Sequence, residues 1–175
     1  METLRKNAFN YGLVLGLTLI VINALMYAVD LAFFTKPWLG IVILTLVTGF
    51  GVFSAIKNKN LLGGFITFKE SFTSFVITVA LGYFIATLFS ILLFNVIDTE
   101  AKKIITDNII KYSVDMMQNF GTKAGDVNQM IKKMKETDSF GMFGQLKSYA
   151  FSIVIYSIIG LLASLIIKRE RTQSL

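Results

Sequence analysis

Residues 8–34 read AFNYGLVLGLTLIVINALMYAVDLAFF, with a single charged side chain, Asp30. A helix of that length measures roughly 40 Å, more than the roughly 30 Å of a bilayer's hydrocarbon core. A surface helix would show one apolar stripe, but this segment is apolar almost all round. It reads as a membrane span. Gly12, Gly16, Asn23, Tyr27 and Asp30 nevertheless share one helical face. The two glycines form a G-x-x-x-G pair, which lets a second helix approach closely where lipid offers no hydrophobic drive. Asn23, Tyr27 and Asp30 are therefore the candidates for a polar path or a helix-contact face.

Working outward, two more spans follow over residues 38–56 and 68–97, and a last one over residues 148–167. Each is nearly free of charge and about 20–30 residues long. Thr35-Lys36-Pro37 makes a tight turn between the first two, and Trp38 stands where an interfacial aromatic belongs. Gly63-Gly64 reads as a turn, since no strand or phosphate-loop pattern surrounds it. Thr67 and Glu70 have the spacing of a capping box and should start the third span. Along that span Ser71, Ser74, Thr78, Gly82 and Ala86 form a small-residue ladder, which pairs spans one and three. Ser157, Gly160 and Ser164 give the last span a similar face.

Residues 98–142 are the one sizeable hydrophilic segment. Ile105, Ile109, Tyr112, Met116 and Phe120 recur at helical spacing between the start signal Asp98-Thr99 and the stop signal Gly121. A second amphipathic helix is expected to start with a capping-box variant, Asp126 to Gln129, and to carry Val127, Met130, Ile131 and Met134 as its apolar face. The expected fold class is thus all-α integral membrane protein, four transmembrane helices with a two-helix amphipathic extracytoplasmic insert between spans three and four.

The chain is 54% hydrophobic and 16% charged, against about a quarter charged in soluble domains. It has no cysteine and no histidine, which removes disulfides, thiol nucleophiles, Cys/His metal sites and histidine bases. No catalytic residue, metal site or cofactor is expected. The net charge of +6 is read as topology-setting, not as a nucleic-acid surface, since no basic run or aromatic-basic platform appears. Arg5, Lys6, Lys57, Lys59, Lys69, Lys168, Arg169 and Arg171 flank the termini side, against Glu2, Glu70 and Glu170. The positive-inside rule then puts both termini in the cytoplasm and the insert outside. The first span is expected to remain uncleaved, being about twice the length of a signal-peptide core.

Tyr11-Gly12, the lead Gly64-Phe65-Ile66-Thr67-Phe68 with Phe72 following, and the basic tail Lys168 to Arg171 give the chain a familiar layout. It resembles a family of small bacterial four-span membrane proteins, domain-of-unknown-function family 4199. The resemblance implies a bacterial cytoplasmic membrane and the four-span architecture with its insert, and no active site.

Two features have a functional and a bland reading. Asp30 with Asn23 could couple a proton or cation, or Asp30 could be an interfacial acid beside Lys36. Met116, Met117, Met130, Met134 and Met142 are soft ligands for Cu(I), or they fill irregular apolar faces. The expected role is a non-enzymatic structural or accessory one, presenting the amphipathic helices to a partner. The alternative is an oligomeric small transporter or channel. The expected partners are the lipid bilayer and a second copy or another membrane protein.

Overall fold

The computed structural model describes residues 2–169, so the expected tail charges Glu170 and Arg171 lie outside the described residues. Helix α1 (Glu2–Val29) is followed by a 3-10 turn (Leu31–Thr35) and by α2 (Pro37–Leu61). Helix α3 (Phe68–Leu92) continues through a π turn (Leu93–Ile97), and α4 (Thr99–Asn119), α5 (Ala124–Glu136) and α6 (Met142–Ile167) complete the chain. Among the described residues four helices are long and apolar enough to cross a membrane: α1, α2, α3 with its π turn, and α6. Their outward faces keep apolar side chains exposed, among them Leu17, Val21, Leu25, Phe151, Ile158 and Leu162. Such a belt suits hydrocarbon and is costly in water.

Several boundaries differ from the expected ones. Helix α1 ends at Val29, not at Phe34, because Asp30 turns extended and its carboxylate accepts the Ala32 amide at 2.8 Å. Helix α2 starts with proline in its first turn, where no N–H is missed, and runs five residues past Ile56. Gly63 and Gly64 then turn the chain at φ +73° and +89°, a region glycine enters freely. The Thr67–Glu70 capping box forms as expected: the Thr67 amide donates to Glu70 Oε2 at 3.0 Å, and the Glu70 amide to Thr67 Oγ1 at 3.3 Å. Helix α6 starts at Met142, six residues before Ser148, since Gln145 can bury its amide there. Helix α5 starts at Ala124 behind Lys123, so the expected capping box at Asp126 does not form.

Helix α3 is the centre of the bundle. Its most extensive contact is with α1, and it also packs against α6 and α2, whereas α1 and α6 have no extensive contact with each other. The α1–α3 pairing read from the small-residue ladder is therefore present. Leu15, Leu19, Val47, Phe75, Val79 and Tyr156, drawn from all four long helices, form the core. The Phe75 ring sits between two glycines: a Cβ at Gly51 would lie 2.6 Å from it, and one at Gly160 2.5 Å. The packing is uneven along the bundle. Every buried residue of α2 lies between Val47 and Asn58, and none lies in residues 37–46.

At the termini end the last helix is tied down. Ile66 and Arg169 exchange two backbone hydrogen bonds of 2.9 Å, and the Lys59 ammonium donates to the Ile167 carbonyl at 2.8 Å. Lys59 thus neutralises the carboxyl end of the α6 dipole. At the other end Leu93, Phe94, Ala101 and Ile105 make a second cluster that fastens α4 onto the bundle, edge-on to Phe34 and Phe140. The expected α4 stripe is covered only over its first half: Ile105 is buried and Ile109 half-buried, but Tyr112, Met116 and Phe120 are exposed, and Ile110, off the stripe, is buried. Helix α4 contacts the 3-10 and π turns of the bundle as well as α5. Met130 and Met134 are half-buried on α5, while Met116 and Met142 are exposed.

Candidate functional site

The three polar residues expected on one face of span one go to three places. Asn23 stays in the helix, donates its amide to the Leu19 carbonyl at 3.0 Å, and lines a cavity. Tyr27 donates its hydroxyl to Asp98 Oδ2 at 2.8 Å. Asp30 leaves the helix to cap the 3-10 turn, so it joins no path with the other two. Asp98 itself caps α4, its Oδ1 accepting the amides of Glu100 and Ala101 at 3.0 Å. The Ala101 amide foremost, and then the Tyr27 hydroxyl, hold its carboxyl below the usual aspartate range. It stays charged at neutral pH and links α1 to the start of α4.

The small residues do come together. A Cβ on Gly82 would meet Leu15 Cγ at 2.6 Å, and Gly12 and Gly16 press against Leu81 and Ile85. Ser71, Ser74 and Thr78 are buried along α3; Gly160 and Ser164 are buried on α6, and Ser157 is half-buried. Among the described residues the buried hydroxyls of Ser71 and Ser164 meet no partner, so those positions require small size more than polarity.

Sequence reasoning missed a polar cluster near the termini end. Asn58 of α2 is fully buried; its amide donates to the Leu4 carbonyl at 3.0 Å and to Ser74 Oγ at 2.6 Å, and accepts from Asn7 at 2.7 Å. One turn deeper, Thr78 Oγ1 bridges Ser54 Oγ at 2.8 Å and the Ala8 carbonyl at 3.0 Å. Gly51, Ser54 and Asn58 stand three and four residues apart, a contact-face signal hidden because Asn58 falls between Lys57 and Lys59. These groups satisfy one another and hold α1, α2 and α3 together.

At the insert end, where no α2 residue is fully buried, the helices and the insert's return line a half-open cavity of about 310 Å³. Leu19, Asn23, Tyr83, Thr87, Gln145 and Tyr149 belong to its walls, and Ile109 and Phe140 lie on the insert side. None of its lining residues carries a charge. Gln145 is only 8% exposed and donates its Nε2 to the Phe140 carbonyl at 2.7 Å. The same Phe140 carbonyl accepts from Asn95 at 3.0 Å, which fixes the insert's return against the π turn. A second cavity of about 220 Å³, between α4 and α5, shares Ile109, Ser139 and Phe140 with the first.

The model of the family described as "Protein of unknown function (DUF4199)" matches residues 10–169. The chain belongs to this family. The match runs through all four long helices and the insert, so the cavity lies within the family's domain, as do Ser54, Asn58, Ser74 and Thr78, whereas Leu4, Asn7 and Ala8 of the polar cluster precede it. No curated protein and no solved structure matches the chain.

Proposed function

We propose that this is a non-enzymatic, multi-pass membrane protein with an accessory role, which presents its insert to a partner or to the membrane surface. One observation carries the reading. Helix α4 is fastened to the bundle through its first half, at Ala101 and Ile105, and leaves Tyr112, Met116 and Phe120 exposed at 43, 45 and 83% along its second half. Spaced four residues apart, these three form a single apolar stripe on the helix. The occupant is a second copy, another membrane protein or lipid headgroups. In this reading the protein lies in a bacterial cytoplasmic membrane with both termini inside and the insert outside, supported by the basic residues that flank the short termini-side segments. The uncharged cavity walls support a role without acid–base chemistry.

Replacing Phe120 by a photoreactive benzoylphenylalanine in living cells tests this. Adducts to another chain or to lipid headgroups are expected; a residue that crosslinks to neither would contradict the reading.

A second reading, an oligomeric small transporter or channel, is favoured by Asn23 facing the cavity. Against it stands the core below, where Leu15, Val47, Phe75 and Tyr156 fill the space between the four helices.

A further inference from the structure

The cavity beneath the insert has a polar rim and an apolar floor. Because Gly16 meets Ile85 and Phe75 meets Gly160, the helix registers put Asn23, Ser90 and Gln145 in one layer near the insert. Phe140 of the insert borders that layer. Deeper in, Leu19, Ala86 and Tyr83 lead into the packed core. Gln145 is more than nine-tenths buried, and among the described residues its side-chain carbonyl meets no donor. That oxygen stays accessible, unlike the buried hydroxyls of Ser71 and Ser164, and is free to accept a hydrogen bond from a ligand.

On the α2 side the wall is thin. None of residues 37–46 is fully buried, Ile43 and Leu46 packing only in part against the core, and Ile43 is the α2 residue that reaches the cavity. That side therefore lies toward the bilayer leaflet nearest the insert. At about 30 Å³ per water-sized group, the volume takes roughly ten such groups. This suffices for a small head and the first methylenes of one chain, not for a two-chain lipid. A phosphate or carboxylate placed there would be desolvated with no countercharge on the walls.

We propose that the cavity is a binding site for an uncharged, single-chain amphiphile of the insert-side leaflet. Its hydroxyl donates to Gln145, its polar atoms meet Asn23 and Ser90, and its chain leaves along α2. The site goes beyond the accessory role, and it can fail while the Phe120 crosslinks still form.

The test uses the full chain in phosphatidylcholine vesicles with a monoacylglycerol that carries a diazirine next to the head. A fatty acid with the same diazirine serves as the charged comparison. The monoacylglycerol is expected to mark Leu19, Asn23, Thr87 and Tyr149 and their neighbours, and the fatty acid to mark them far less. Gln145→Leu keeps the shape and should weaken monoacylglycerol binding about five-fold, the size of one hydrogen bond. Ala86→Phe should fill the site and abolish the adducts. Should Ala86→Phe fail to fold, the Gln145→Leu comparison decides alone. Adducts confined to outward residues such as Leu17 and Leu162, or equal in Gln145→Leu and the unaltered chain, would overturn the proposal. So would equal marking of the cavity by the fatty acid, or rapid labelling of Asn23→Cys by a small charged thiol reagent, which means water fills the space.

Discussion

Gly82→Leu should uncouple α1 from α3 and lower stability by about 1–3 kcal/mol or more, the cost of overpacking a closed core. The first atom of any side chain at Gly82 would already stand 2.6 Å from Leu15 Cγ, and Leu15 is fully buried in the central cluster. Helix α1 cannot give way locally, because Gly12 and Gly16 hold it as tightly against Leu81 and Ile85. Separating the helices forfeits this packing outright, and lipid supplies no hydrophobic drive to restore it. Gly49→Leu is the matched control, since nothing lies within 4 Å of a Cβ there. Thermal unfolding in mild detergent should show Gly82→Leu strongly destabilised and Gly49→Leu close to the unaltered protein. Equal effects would contradict the α1–α3 seam.

Asn58→Leu should cost about 2 kcal/mol. The amide makes three hydrogen bonds, to the Leu4 carbonyl, Ser74 and Asn7, and so joins α2 to both α1 and α3. Leaving a buried polar group unpaired costs about 1–3 kcal/mol, while hydrogen bonds between membrane helices average nearer 0.6 kcal/mol. The middle of that range reflects the different exposures: the Leu4 carbonyl and Ser74 stay buried, whereas half-exposed Asn7 can turn to water. Asn60→Leu, at an exposed position two residues on, should change stability by less than about 0.5 kcal/mol. The two variants compared by denaturation in the same detergent give the answer; a difference near zero would mean that the cluster holds nothing.

The spans and the α1–α3 pair were legible in the sequence because both rest on local patterns. Uncharged length marks a span whatever surrounds it, and the run from Ser71 to Ala86 has one residue size at one spacing. Asp30 was misplaced for a local reason too. An acid within an apolar run reads as part of the span, yet its carboxylate can cap the next turn and end the helix. The α4 stripe has the expected period and face but is buried only over Ile105 and Ile109, since the chain alone does not say where the bundle's cover ends. Asn58 was obscured by the lysines beside it. The cavity had no pattern of its own. It lies where residues 37–46 of α2 pack only in part against the core, and incomplete packing leaves no periodic trace.

The bundle is closed around its polar cluster toward the termini and open beneath the insert. Cysteine accessibility tests this most directly, because the chain has no cysteine of its own. Ser54→Cys and Thr78→Cys place a thiol in the closed half with little change in volume. In reconstituted vesicles, a small charged thiol reagent supplied on both sides should leave both positions unlabelled while labelling an exposed control at Phe120→Cys within minutes. Rapid labelling of Ser54→Cys or Thr78→Cys would reveal a water path through the sealed half, and the accessory reading would give way to transport.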